Sequence, residues 1–206
     1  MTEPPEQSPP ADPTEHLHQL LTAGDVRAFN AAHISAFNAA HKRARKKGDP
    51  QFKLDLTGLK LAGTDLRRID LEDADFSGAE LTKVNFGRAN LKRSSFTGAK
   101  LTKVNFAEAE LQGVNFSGAH LIRINFVGAN LSWTDFRRVK FAGAHLSWVI
   151  LKGALLAGVD FTGIDLIGAD FSAADLTGAK LTGADLTGAR RNKLTKGAEE
   201  VWVNTK

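Results

Sequence analysis

The chain has 206 residues, with 27 Lys and Arg against 23 Asp and Glu and a formal net charge of +4, which is the scale of one domain with short appendages. The absence of cysteine excludes a disulfide framework, a thiolate zinc site and a cysteine nucleophile. An apolar share of 42% and a charged share of 24% suit a folded chain, not a disordered or collagen-like one.

The opening residues, MTEPPEQSPPADP, are acidic and proline-rich where a secretory leader would be basic and then apolar. No apolar run of about 18 residues follows, so nothing is expected to span a membrane. The expectation is a cytoplasmic chain with a disordered tail over 1–13. Residues 14–50 read as a helical cap. A short helix is expected from Thr14 to about Ala23. A second follows Asp25, a fitting N-cap, with Val26, Phe29, Ala32, His33, Ala36, Phe37 and Ala40 on one face. Lys42, Arg43, Arg45, Lys46 and Lys47 suit the negative end of its dipole, and Gly48 and Pro50 stop it.

From there the chain repeats. Every fifth residue from Leu56 to Leu186 is Leu or Phe without interruption. Two positions before each centre sits a small or β-branched residue, such as Ala74, Val84 or Ile124, with Thr64, Ser94 and Thr134 as polar variants. The position between is often Asp or Asn, and Gly recurs two residues after the centre, as at Gly58, Gly78 and Gly98. A period of five matches neither a helix nor a strand, so each unit must be a short extended piece followed by a corner. A longer period lies inside the short one: Leu81 to Phe86 reads LTKVNF, and the same residues return from Leu101 to Phe106. That return predicts four units per coil. Phe86, Phe106 and Phe126 then form one column, with Phe76, Phe96, Phe116 and Phe136 on the opposite wall.

The segment from about Asp55 to Ala189 resembles the pentapeptide-repeat proteins, whose repeat is Ala-Asp/Asn-Leu plus two variable residues, seen here in Ala74-Asp75-Phe76, Ala169-Asp170-Phe171 and Ala184-Asp185-Leu186. The resemblance implies a right-handed quadrilateral β-helix, an all-β solenoid over 51–190, with the centres and the small residues facing inward. About seven coils at roughly 4.8 Å spacing would make a rod on the order of 30 Å long. Each coil cannot bury its apolar side alone, so stacked neighbours supply the stability. Burying each centre contributes about 1.5–3 kcal/mol.

Chemistry is sparse. Of the six histidines, His16, His18, His33 and His41 fall on the predicted cap helices and read as polar helix surface, and none pairs with an acid at metal-ligand spacing. Asp160, Asp165, Asp170 and Asp175 recur at one repeat position, which marks corner geometry and solvation, not acid–base work. With no phosphate loop, nucleophile elbow or dinucleotide fingerprint, neither an enzyme nor a cofactor is expected.

Charge distribution says more. Between Glu80 and Lys152 the basic residues outnumber the acidic ones, whereas Ala154 to Ala189 holds five Asp and one Lys. The register stacks Lys83, Lys103 and Arg123 in one outward column, with Lys92-Arg93 and Arg137-Arg138 elsewhere on the girth. Like charges in a ladder repel, so the column is either a solvated face or a site for an anion. Trp133 and Trp148 fall at outward positions whose column neighbours are glycines. Each indole either lies across bare backbone above and below, or serves as an interface hot spot. The Asn85, Asn105, Asn125 column reads as a hydrogen-bonded ladder. At the far end Leu194, Val201, Trp202 and Val203 offer apolar surface over 191–206 for a cap or a homodimer contact.

Three functions stay open: a non-enzymatic interaction scaffold with a protein partner, a DNA mimic, and a direct nucleic-acid binder through the basic column and the Lys42 to Lys47 cluster. The mimic is implied by the resemblance, one branch of the family being acidic, carboxy-terminally dimerised rods that bind DNA gyrase and protect it from inhibitors. The basic middle coils depart from that branch.

Overall fold

A computed structural model of the chain describes residues 31–46 and 54–202. The expected tail over 1–13, the first cap helix, Asp25, Val26, Phe29, Lys47, Gly48 and Pro50 lie outside the described residues, as do the side chains of Ala32, His33, Ala36 and Ala40.

The repeats wind into a four-sided parallel β-solenoid. Five short strands, β1 (Lys60–Ala62), β2 (Glu80–Thr82), β3 (Lys100–Thr102), β4 (His120–Ile122) and β5 (Lys140–Ala142), form one parallel sheet in sequential order. The register pairs Leu61 with Leu81, Leu81 with Leu101, and so on to Phe141, a step of 20 residues and therefore four units per coil. On the other sides the same step is carried by single-residue bridges, from Asp55 with Asp75 through Asp170 with Arg190. The last bridge, Asp175 with Lys196, takes one residue more, because the five-residue pattern has ended.

We number the walls by their centres: the first holds Leu56, the second Leu61, the third Leu66 and the fourth Leu71, each with its partners 20 residues on. On the first, third and fourth walls a β-turn closes each corner. The N–H three residues after the centre donates to the centre's own carbonyl, as Leu59 to Leu56 (3.1 Å) and Ala74 to Leu71 (3.1 Å). The second wall lacks that bond from Leu61 to Phe141 and extends into strands instead. From Phe161 onward it adopts the same turn, Ile164 donating to Phe161 at 3.0 Å. That wall thus forms strands in five successive coils, and bridges carry the register of the rod on to Lys196.

The centres and the small residues two positions earlier are buried along the rod. Inside, the phenylalanines stack as expected: Phe76 on Phe96 (4.7 Å), Phe86 on Phe106 (5.3 Å) and Phe106 on Phe126 (5.2 Å). The two columns meet edge to face across the core, as Phe86 with Phe96 at 6.5 Å. Both geometries are favourable for aromatic rings. Above Phe136 the ladder changes walls, running through Phe141 and Phe161 on the second wall to Phe171 on the fourth. Thr64, Ser94 and Thr134 are buried with the apolar residues, and Thr134 donates its hydroxyl to the Leu111 carbonyl (3.3 Å).

Asp and Asn before the centres hold the corners. Their Oδ1 accepts the N–H two residues on, as Asp55 from Thr57 (3.0 Å), Asn105 from Ala107 (3.1 Å) and Asp185 from Thr187 (2.9 Å). This side-chain mimicry of a turn is what those residues do well. The expected asparagine ladder is reduced to one rung, Asn105 Nδ2 donating to Asn85 Oδ1 (2.8 Å), an oxygen that also accepts the Gly87 N–H of its own turn (3.0 Å).

The amino-terminal end of the rod is covered by α1 (Ala31–Lys46). Phe37 is buried against the core with Ile34 beside it. The Asn38 amide donates to the Arg68 carbonyl (2.9 Å) and accepts the Asp70 N–H (2.7 Å), a donor that a preceding coil would otherwise have paired. His41 corrects the reading of polar helix surface. It is buried, its ring stacks on Phe37 (5.4 Å), and its Nε2 lies 3.2 Å from the Glu72 carbonyl, because the helix face that carries it lies on the rod. Phe106→Ala, which empties the middle of the ring stack, should cost about 3–5 kcal/mol. Urea or thermal melting reads that loss, and an unchanged midpoint would refute the stacked core.

Candidate functional site

One backbone feature recurs at every corner. The residue two positions after each centre has positive φ, whether it is Gly, as at Gly58 (67°) and Gly178 (65°), or not. An L-residue there gives up roughly 1–2 kcal/mol relative to its preferred conformation, which explains why glycine recurs at this position. Repeat corners with other residues comprise Arg68, Asp73, Lys83, Arg88, Arg93, Lys103, Glu108, Arg123, Trp133, Arg138, Trp148 and Ala173. Most carry a cation or an indole.

The 20-residue register sorts them into columns. On the third corner Arg88 lies against Glu108, its Nε 2.9 Å from the carboxylate. That guanidinium holds the Glu108 carboxyl below its ordinary pKa, through the hydrogen bond first and the charge second. On the fourth corner Arg93 reaches back to Asp73 (2.8 Å) and Glu72 (2.5 Å). On the second corner the column runs Gly63, Lys83, Lys103, Arg123, Gly143. Lys83, Lys103 and Arg123 are exposed and make no ion pair among the described residues.

The remaining predicted cations separate the same way. Lys92 is paired with Glu110 (3.6 Å), and Arg137 with Asp135 (2.7 Å). Burial alone would raise the Asp135 carboxyl, but the hydrogen bonds and charge of Arg137 outweigh it and hold the group below its ordinary value. Arg138, on the first corner, is exposed and unpaired among the described residues. Lys83, Lys103 and Arg123 therefore share one corner, while Lys92, Arg93, Arg137 and Arg138 are dispersed over other faces.

The second wall adds residues that the corner column did not reveal. The position before each centre holds Lys60, Glu80, Lys100, His120 and Lys140, all on the strands. Glu80 bridges Lys60 and Lys100, each at 3.3 Å, and both cations hold its carboxyl below the ordinary value, Lys100 first. Lysine at 60, 100 and 140 is a doubled coil period, and that was the available signal. Between this row and the corner row lie Ala62, Thr82, Thr102, Ile122 and Ala142.

Trp133 and Trp148 sit at neighbouring corners and remain 69% and 65% exposed. A Cβ on Gly153 would overlap the Trp133 indole, and one on Gly168 the Trp148 indole. Each ring thus covers the corner glycine of the following coil only. The expected cover on both sides is corrected: Gly113 lies against Arg93 and Gly128 against Glu108, so each indole meets a glycine on its carboxy-terminal side alone.

At the far end α2 (Ala198–Val201) returns over the last coil. Trp202 meets Phe171 edge-on at 5.7 Å, with the Arg191 guanidinium 5.5 Å from its ring. The Thr195 hydroxyl donates to the Phe171 carbonyl (3.0 Å). Leu194 is exposed, and the Val201 side chain and Val203 lie outside the described residues. Among the described residues no group of three His, Asp or Glu is placed to hold a metal, and no helix is long and apolar enough to cross a membrane.

A family model described as a pentapeptide repeat region matches residues 69–146, and a second, pentapeptide repeats in eight copies, matches 154–190. No curated protein matches the chain significantly. Among solved structures, HetL from the cyanobacterium Nostoc sp. strain PCC 7120, a pentapeptide repeat protein involved in heterocyst differentiation regulation, is 27% identical. That match covers 76% of this chain and 92% of HetL with a TM-score of 0.40. QnrB1, a plasmid-mediated fluoroquinolone resistance protein, is 23% identical over 68% of this chain and 87% of its own, with a TM-score of 0.45. A thylakoid-lumen pentapeptide repeat protein of Arabidopsis thaliana is 29% identical over 57% of this chain and 71% of its own, with a TM-score of 0.31. At such TM-scores these likenesses carry no functional weight.

The positive φ at the second corner makes a direct prediction. Lys103→Gly should stabilise the fold by about 0.5–1 kcal/mol, relief of the left-handed strain exceeding the entropy that glycine adds to the unfolded chain. Thermal melts of variant and parent measure it, and a lower midpoint for the variant would contradict the assignment of strain.

Proposed function

The chain belongs to the pentapeptide-repeat family, and on that premise we propose that it is a non-enzymatic interaction scaffold whose second wall receives an anionic macromolecule. One contrast supports the reading. The third and fourth corners place an acid one coil from a base and form ion pairs, Arg88 with Glu108 and Arg93 with Asp73. The second corner stacks Lys83, Lys103 and Arg123 with no acid in the column. The rod therefore accepts backbone strain and mutual repulsion at three consecutive coils without an internal counter-ion, and residues held at such cost cluster at functional sites. Retention on immobilised heparin tests it. A variant with Lys83, Lys103 and Arg123 all replaced by Glu should elute at far lower salt than the parent, and equal elution would remove this wall as the site.

A second reading, a gyrase-directed DNA mimic, draws on Asp160, Asp165, Asp170, Asp175 and Asp185 in the carboxy-terminal coils. Two of these are already paired, Asp160 with Lys180 (3.7 Å) and Asp170 with Lys152 and Arg190 (3.5 Å each). The tail that a dimer would use is engaged by Phe171, which supports a cap over a homodimer contact. On the leading reading, a DNA gyrase supercoiling assay with and without a fluoroquinolone shows no effect of micromolar protein. Protection from the drug would favour the mimic instead.

A further inference from the structure

We infer that the second wall docks the phosphodiester backbone of a nucleic-acid duplex, laid along the rod between its two rows of cations. The inference rests on the reading that this wall takes an anion, and adds which anion. One row is the corner column, Lys83, Lys103 and Arg123; the other is the strand row with Lys60, Lys100 and Lys140. The rows are three residues apart along an extended strand, roughly 10 Å, and successive coils are about 4.8 Å apart. Six cations and the single carboxylate of Glu80 thus occupy a strip roughly 20 Å long. The floor of the strip carries the Thr82 and Thr102 hydroxyls between Ala62 and Ala142, with Ile122 its one bulky apolar residue. Hydroxyls beside Lys and Arg are the groups that meet phosphate oxygens.

A protein partner fits this wall poorly. Interfaces between proteins turn on aromatic or arginine anchors in dry pockets, and the one large apolar residue exposed on these strands is Ile122, both exposed tryptophans lying on other corners. A single strand fits poorly too, since its affinity comes largely from bases stacked on aromatic rings. A duplex needs neither. It presents unbroken, rigidly spaced charge at about one per 1.7 Å of axis, matched by cations fixed to a rigid rod.

Fluorescence anisotropy with a labelled 20-bp DNA duplex, and with one of its strands alone, tests the inference across a salt series. With three or four phosphates contacted, log K against log salt should fall with a slope of about −3 for the parent. A variant carrying Lys83→Gly, Lys103→Gly and Arg123→Gly should bind at least tenfold more weakly, with the slope shallower by about 2–3. Its melting point should not fall, and a Lys83→Gln, Lys103→Gln, Arg123→Gln variant repeats the test without glycine. A variant with Arg67→Gln, Arg88→Gln and Arg137→Gln loses the same charge from other faces and should bind like the parent. Equal loss in that control, or tighter binding of the single strand than the duplex, overturns the inference. So does the absence of duplex binding; if heparin retention still depends on the column, the anion-receiving wall survives and only the duplex is lost. If neither ligand is retained, both readings fall.

Discussion

A left-handed residue at every fifth position is the constraint on which this molecule depends. It turns the chain through each corner, and four such turns return it above its starting point with a step of 20 residues. That step stacks phenylalanine on phenylalanine inside and sets corner upon corner outside. Everything about the surface follows from it. At several corners a side chain lies over the corner of the next coil, so the identity of a residue is felt 20 positions later. Gly143 lies against Arg123, Gly153 against Trp133 and Gly168 against Trp148, and glycine in these places does two jobs: it accepts the positive φ and leaves room for the side chain below.

Because glycine is the unstrained choice, departures from it carry information. The rod offers its own comparison. Where Arg88 and Arg93 occupy left-handed corners, an acid in the adjoining coil neutralises them, and the strain is offset inside the molecule. Where Lys83, Lys103 and Arg123 do so, nothing among the described residues offsets it. Net charge would not have shown this difference, since paired and unpaired cations count alike. The tryptophans sit between these cases: they are exposed, yet each covers a backbone corner that water would otherwise reach.

The ends of the rod show the same physics under different boundary conditions. A solenoid leaves open pairing groups and core at its first and last coils. At the start, Asn38 supplies a donor to Arg68 at the third corner and an acceptor to Asp70 on the fourth wall while Phe37 covers the core. At the finish no helix of comparable length is present among the described residues, and a short return of the chain brings Trp202 onto Phe171. Gly197 makes that return feasible, for a Cβ there would collide with the backbone of Leu176 and Thr177.

Much of this was written in the order of the residues. The uninterrupted Leu and Phe centres, the small residues before them and the LTKVNF return determine the coil, its register and the two facing phenylalanine columns, because a period common to every unit admits a single way of stacking them. The column of Lys83, Lys103 and Arg123 was legible for the same reason. Tertiary structure alone decided which cations are free and which paired, since Arg93 finds Glu72 and Asp73 through a coil contact that depends on the lean of each side chain. It also buried His41, whose surroundings belong to a different element, and turned the tryptophans toward one neighbour instead of two. A periodic pattern specifies which backbone positions adjoin, whereas the direction a side chain takes from a left-handed corner is set by the folded coil around it.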